Sequence, residues 1–331
     1  MIVSVSLNPS IDRMVEIDSF QYGGMNRIQK IRSEDAAGKG MNVALAAKIL
    51  GLDVACIGFL PEKNGSLLEQ RLHKAGCEYD FIPIKGSVRI NTKIYDREKG
   101  TVTELNETGS VVTSENLEAM MQLIQKWQDK ASVFVLTGSL PPGCPEDFYR
   151  QLILQTKVRC ILDTEGEKLL KGVEAQPFLI KPNVYELELA VKHNLPEKED
   201  MVAAAHALIA GRISHSFDTQ NENRNAYKND SQKERLALVS MGNKGAFITD
   251  AKQSWIAPCI PVEVKSTVGA GDCMVAGILF GLASGIDMKN ILRCAMAAGT
   301  AGCLTEGTQL LREKDFVALL QQVQIEELIT G

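Results

Sequence analysis

Lys265-Ser266-Thr267-Val268-Gly269-Ala270-Gly271-Asp272 runs into an uncharged stretch, Cys273 to Ala283, with Gly and Ala spaced through it. Such an apolar run reads as a buried helix, which places Gly269 to Asp272 at its N-terminus. Several N–H groups at that end have no intrahelical partner, and the helix dipole adds partial positive charge. Glycines there let an anion approach the backbone closely. Asp272 is then a carboxylate beside an anion hole. A phosphoryl-transfer enzyme needs both features: donors for migrating charge and a base for an attacking hydroxyl. The same residues also suit a plain Asp cap on a core helix. The rest of the chain has to separate the two.

Outward from this stretch, strand and helix patterns alternate. Strands are expected at 2–7, 54–59, 133–136, 159–162, 178–180 and 236–240. Helices are expected at 41–50, 67–74, 114–130, 146–155, 185–193 and 200–210, with a short one between 162 and 178. A hairpin runs through Gly242–Gly245 to 246–249, and helices at 271–284, 288–303 and 313–328 make up the C-terminal third. This alternation predicts an α/β fold: a mostly parallel central sheet with helices on both faces. Strand-like segments within 13–33 and at 79–84, 89–96 and 101–105 alternate polar and apolar residues and do not suit a sheet buried on both faces. They predict a small β-sheet lid, built from about 9–35 and 79–107, within a single domain spanning 1–331. Residues 212–235 are polar and rich in Asn and Gln, and read as a surface insertion.

Composition narrows the function classes. The chain has 331 residues, 45% hydrophobic and 23% charged, with a net charge of −5, which gives no electrostatic reason to expect nucleic acid. No apolar run reaches the roughly 18–20 residues that span a bilayer, and the N-terminus lacks a signal-peptide pattern, so a cytoplasmic protein without a membrane partner is expected. The eight cysteines are scattered, with no C-x-x-C pair, and read as reduced core residues.

Two phosphate signatures fail. There is no Walker-type G-x-x-x-x-G-K-[ST]. Gly38-Lys39-Gly40 opens like G-x-G-x-x-G, but Val43 stands at the third small position and no buried strand precedes it. Ala37-Gly-Lys-Gly-Met-Asn-Val-Ala44 does offer a Gly-rich turn that brings Lys39 and Asn42 to a helix N-terminus, suited to a polyhydroxylated or anionic ligand. A plain loop–helix junction is the lesser alternative reading of these residues.

These two motifs together resemble those of the ribokinase-like carbohydrate kinases of the PfkB type. Ala37–Ala44 is similar to the family's Gly-Gly-x-Gly-x-Asn-x-Ala, departing at Ala37, and Ser266–Asp272 is a close match. Leu7-Asn-Pro-Ser-Ile-Asp12, Thr137-Gly-Ser-Leu-Pro-Pro-Gly143, Lys181-Pro-Asn-Val-Tyr-Glu-Leu187 and Val239-Ser-Met-Gly-Asn-Lys-Gly-Ala246 follow the family's order. Within the family, Arg89-Ile-Asn-Thr-Lys-Ile94 and Thr101–Gly109 most resemble the 1-phosphofructokinases of bacteria.

The resemblance implies ATP and Mg²⁺ on one side of Asp272 and a ketohexose phosphate on the other. D-Fructose 1-phosphate is the first expectation; tagatose 6-phosphate and fructose 6-phosphate are the nearest rivals. A sugar-phosphate-binding regulator without turnover is the rival from another class. Asp272 is implied as general base, with the N–H groups of Gly269, Ala270 and Gly271 as anion hole. On the sugar side stand Asp12, Gly38, Lys39, Gly40, Asn42, Arg89 and Ser139, with Arg27 a weaker candidate. On the nucleotide side stand Lys181, Asn183, Ser240, Gly242 and Gly245, and Glu186 is the implied Mg²⁺ residue. Apolar lid positions such as Met14, Ile17 and Phe20 motivate a homodimer through the lid.

Overall fold

The computed structural model describes residues 1–211 and 235–328, so the polar insertion lies, except for Arg235, outside the described residues. In chain order the elements are β1 (Ile2–Ser6), β2 (Ser10–Ile17), β3 (Lys30–Ala37), α1 (Lys39–Ile49), β4 (Val54–Lys63), α2 (Gly65–Lys74), β5 (Glu78–Ser87), β6 (Arg89–Asp96), β7 (Thr101–Asn106), α3 (Ser114–Trp127), β8 (Val133–Thr137) and α4 (Phe148–Leu154). They continue with β9 (Arg159–Asp163), α5 (Gly166–Val173), β10 (Leu179–Ile180), α6 (Val184–Val191), α7 (Lys198–Ile209), β11 (Leu236–Ser240), β12 (Ala246–Thr249), β13 (Ser254–Ala257), α8 (Ala270–Ala283), α9 (Met288–Cys303), α10 (Glu313–Leu320) and β14 (Glu326–Glu327).

The large sheet has the order β14-β13-β12-β11-β10-β9-β8-β1-β4-β5. Strands β5 to β11 in that row, with β1 in the middle, run parallel; β12, β13 and β14 add antiparallel edges. All five residues of β1 are buried, the burial expected of a parallel strand covered on both faces. One face packs α1, α8 and α9 through residues such as Met41, Val275 and Leu292. The other packs α3, α4 and α7 through Met120, Phe148 and Leu208. The small residues within the apolar run of α8 have a packing reason. A Cβ at Gly277 would sit 2.3 Å from the Cys294 carbonyl oxygen, so α8 and α9 meet backbone to backbone there.

Strand β2 pairs in parallel with β6, and β3 and β7 flank them antiparallel, giving a four-stranded sheet of order β3-β2-β6-β7. The strand at 79–84 does not join it. As β5 it pairs in parallel with β4 and forms an edge of the large sheet. Its half-buried alternation is that of an edge strand, which exposes one face whichever sheet holds it. The helix expected over 313–328 ends at Leu320, and β13 and β14 emerge as short edge strands. Among the proposed apolar lid contacts, Ile17 is already buried within the chain and Met14 and Phe20 are partly covered. Tyr22, Met25, Ile28 and Ile31 are the exposed apolar residues of this region.

Candidate active site

In an open parallel sheet, loops after the strand C-termini converge on one edge, and helices begin there with their N–H groups outward. That edge here carries Ser6 at the end of β1, Thr137 at the end of β8, Asp163 at the end of β9, Lys181 just after β10 and Ser240 at the end of β11. All five line one cavity of about 690 Å³. The small sheet closes it from the other side. Strand period two puts Ser10, Asp12, Arg89, Asn91, Lys93, Glu104 and Asn106 on the face that lines the same cavity.

The wall formed by the large sheet carries opposed charges, with Asp163, Lys181, Glu186 and Asp272 buried and the Lys39 side chain 43% exposed. Asp163, 1% exposed, lies 3.1 Å from Lys181 Nζ and 3.9 Å from Lys39 Nζ, and accepts a 3.0 Å hydrogen bond from the Thr137 hydroxyl. Burial pushes its pKa up, but Lys181 and Lys39 outweigh that and hold it below the usual Asp value. Asp163 in turn raises the pKa of Lys39, against the opposing effect of burial. Glu186 and Asn183 form a capping box at the start of α6: each accepts from the other's backbone N–H at 2.8 Å. Burial raises the Glu186 pKa.

Asp272 sits in the first turn of α8, buried, and accepts a 2.9 Å hydrogen bond from Asn42 Nδ2. Burial raises its pKa to about 6, against the pull of Lys39, Asn42 and Lys181. Gly269 enters the helix at φ 77°, a left-handed conformation that favours glycine. The turn spends two of its donors on itself: Val268 N–H on Ser266 Oγ at 3.2 Å, and Ala270 N–H on the Thr267 carbonyl at 3.2 Å. The N–H groups of Gly269, Gly271 and Asp272 have no hydrogen-bond partner among the described residues. Of the three N–H groups expected to form the anion hole, that of Ala270 is engaged within the turn, whereas those of Gly269 and Gly271 are unengaged among the described residues, as is that of Asp272.

On the small-sheet wall, Asp12 Oδ1 accepts from Ser10 Oγ at 2.8 Å and Asn91 Nδ2 at 3.0 Å, and Oδ2 from Lys93 Nζ at 3.2 Å. Arg89 Nε donates to the Asn8 carbonyl and Nη1 to the Glu107 carbonyl, both at 3.2 Å. Its Nη2 is left without a partner among the described residues. Asn8 Nδ2 donates to Ser139 Oγ at 3.2 Å. Among the cavity residues, Asn42 Oδ1, Asn91 Oδ1 and Asp163 Oδ1 are buried with no hydrogen-bond partner among the described residues, and of these Asp163 Oδ1 faces the Lys181 ammonium at 3.1 Å. Both asparagines line the cavity.

Residues 5–217 and 210–315 match the model of the "pfkB family carbohydrate kinase". The chain belongs to the PfkB family of carbohydrate kinases. It is 30% identical over 328 residues to the 1-phosphofructokinase of Escherichia coli K12, covering 98% of each chain. It is 29% identical over 331 residues to that of Bacillus subtilis, covering 99% of this chain and 100% of the relative. Among solved structures, phosphofructokinase-2 from Escherichia coli in complex with substrates and products matches with a TM-score of 0.84 at 26% identity, over 97% of this chain and 98% of that one.

In this PfkB kinase, Asp12, Gly38, Lys39, Gly40, Asn42, Arg89, Ser139, Lys181, Asn183, Glu186, Ser240, Gly269, Gly271 and Asp272 all line the one cavity. Gly242 and Gly245 do not; they hold a 3-10 turn between β11 and β12. A Cβ at Gly245 would meet the Ala257 carbonyl oxygen at 2.0 Å, so packing of the turn against β13 accounts for that glycine. Arg27 is exposed outside the cavity. Sequence reasoning missed Asp163, Thr137, Asn8, Asn91 and Lys93. Asn91 and Lys93 stand two and four residues beyond Arg89, so the period of a strand already placed them on its face. Asp163 directly follows an expected parallel strand, the position where ligands to such sheets are bound. No helix among the described residues is long and apolar enough to cross a membrane.

Proposed function

We propose that this sugar-phosphate kinase transfers the γ-phosphoryl group of ATP to the 6-hydroxyl of D-fructose 1-phosphate, giving fructose 1,6-bisphosphate. The observation that carries the reading is that the two amides bonded to Asp272 and Asp12, Asn42 and Asn91, each leave a buried Oδ1 without a hydrogen-bond partner or ion pair among the described residues. Buried acceptors cost stability unless a donor reaches them, and the hydroxyls of a sugar are such donors. Asn42 also donates to Asp272, so a hydroxyl seated on its carbonyl side lies next to the base. Arg89 and its free Nη2 supply a positive seat for the phosphate the sugar already carries. The 1-phosphofructokinase names of the relatives favour phosphate at C1.

Asp272 takes the hydroxyl proton as the oxygen bonds to the γ-phosphorus and the bond to the bridging oxygen of ADP breaks. A base with a pKa of about 6 is ionised at neutral pH yet not so acidic that it refuses a proton. The N–H groups of Gly269, Gly271 and Asp272 stabilise the charge on the migrating group. Lys39 and Lys181, ion-paired with Asp163, face the same charge. Glu186 has one carboxylate oxygen engaged by its own helix and the other left toward the cavity, which fits a Mg²⁺ held mainly by nucleotide phosphates and water. When bound, such an ion would supply charge neutralisation for the nucleotide phosphates, with Glu186 as the residue that would hold it.

A panel of fructose 1-phosphate, fructose 6-phosphate and tagatose 6-phosphate tests the assignment by kcat/KM. A higher value for either rival replaces the substrate while keeping the chemistry. The exposed Tyr22, Met25, Ile28 and Ile31 support a dimer formed through the small sheets; a monomer mass at every concentration in sedimentation would remove it.

A further inference from the structure

The two walls of the cavity are joined by a segment that belongs to neither. Between α9 and α10, residues 304–310 run from the anion-hole turn to the small sheet. At one end Ser266 Oγ donates to the Gly307 carbonyl at 3.0 Å. The same Oγ accepts the Val268 N–H, one residue before Gly269, and Leu310 packs against Gly269 itself. Thr305 Oγ1 lies within hydrogen-bond reach of the carbonyls of Gly302 and Gln309, at 2.8 and 2.7 Å, which holds the segment in shape. At the other end Thr308, 6% exposed, donates its hydroxyl to Asp35 Oδ2 on β3. Gly307 stands against Ser33 and Met14 of the same sheet, and Ser33 Oγ is buried there without a hydrogen-bond partner among the described residues. The bond from Thr308 to Asp35 is thus the directional part of this contact.

Asp35 is the direct cross-strand neighbour of Asp12 in the β2–β3 pairing. Like charges placed opposite each other on a sheet repel, so each needs a partner of its own. Asp12 has Lys93, Asn91 and Ser10; Asp35 has the Thr308 hydroxyl, and Arg71 attracts both carboxylates. A sugar hydroxyl that engages Asp12 therefore acts on the strand pair whose other member holds the 304–310 segment.

We infer that Asp35 and Thr308 are positioning residues that link the seating of sugar on the small sheet to the shape of the Gly269–Asp272 anion hole. The inference rests on the kinase reading above. Its consequence is economy of ATP: the turn is held in its productive shape when the small sheet is held, and water is a poor acceptor otherwise.

Thr308→Val keeps the branched shape and deletes the donor; Thr308→Ser keeps the donor. ADP release with and without fructose 1-phosphate is measured for both. In Thr308→Val, kcat for transfer is expected to fall about tenfold, the loss of one hydrogen bond to a charged group. KM for ATP stays within about twofold, and the share of ATP hydrolysed without transfer rises several-fold, while Thr308→Ser restores both kcat and that share. Asp35→Ala combined with Thr308→Val is no worse than the poorer single variant. If Thr308→Val is recovered only unfolded, Asp35→Asn gives the same reading, since it weakens the acceptor without changing its shape. A Val variant with wild-type kcat and wild-type hydrolysis share, whatever its Tm, overturns the inference, as do additive single effects. A wild type that phosphorylates none of the three ketohexose phosphates overturns this inference and the substrate assignment together; an active wild type with an unaltered Val variant overturns this inference alone.

Discussion

The two walls of the cavity hold their polar groups by different means. On the large-sheet wall, Asp163, Lys39, Lys181, Glu186 and Asp272 come from strand ends and helix starts, and the pKa values of Asp163, Lys39, Glu186 and Asp272 are shifted by neighbouring charges and by burial. On the small-sheet wall, Asp12, Arg89, Asn91 and Lys93 come from two paired strands, the last three at a spacing of two along β6, and are held by direct hydrogen bonds. The first arrangement suits a step in which charge moves. The second suits a shape of fixed donors and acceptors, which reads hydroxyl positions. Under the proposed function, the charged steps fall to the first wall and much of the contact with sugar to the second.

The comparison is most exposed to breakage at Asp272. Asp272→Asn should lower kcat by about 10²- to 10⁴-fold, the usual contribution of a general base, while calorimetry still shows binding of the sugar phosphate. Near-normal turnover would remove Asp272 from the chemistry. Arg89→Met should instead raise KM for the sugar phosphate about 10- to 100-fold and leave kcat within a few-fold, since it deletes one charge-assisted contact on the selecting wall. An equal loss in kcat would mean that the walls are not separable.

The pH dependence gives the smallest and most specific signal. The Asp272 pKa is raised from 3.8 to about 6, so kcat/KM should fall about tenfold per pH unit below that value as the base becomes protonated. The stability sign is the reverse. Below pH 3.8 the carboxyl is protonated folded or unfolded; as pH rises through about 6 the folded protein must ionise it in place, losing up to about 3 kcal/mol. Asp272→Asn should therefore melt a few degrees above the wild type at pH 8, and this gap should close toward pH 4. An unchanged gap would place the strain elsewhere.

What could be read from the sequence followed from how locally each feature is encoded. The Gly269–Asp272 turn and the Asn183–Glu186 capping box are contiguous, so a short stretch shows the complete device. The parallel sheet was legible because strand and helix periods alternate over most of the chain. Asp163 was not, because a buried carboxylate after a strand looks like a loop residue until Lys39 and Lys181, far off in sequence, are brought to it. Strand β5 was assigned to the wrong sheet for a related reason: half-burial marks an edge but does not say whose. Ala270 illustrates a finer limit, since its N–H is spent on Thr267 by the course of the turn and not by its residue type.

The parallel pairing of β2 with β6 also constrains the order in which the molecule can be assembled. Ser10 pairs with Arg89, and 89 − 10 leaves a separation of 79 positions, within which β3, α1, β4, α2 and β5 all lie. Closing so long a loop costs chain entropy before the pair returns any contact, so the units between must dock first. The cavity-lining face of the small sheet is on this account among the last parts to form during refolding, and its amides should be among the first to exchange with solvent deuterium.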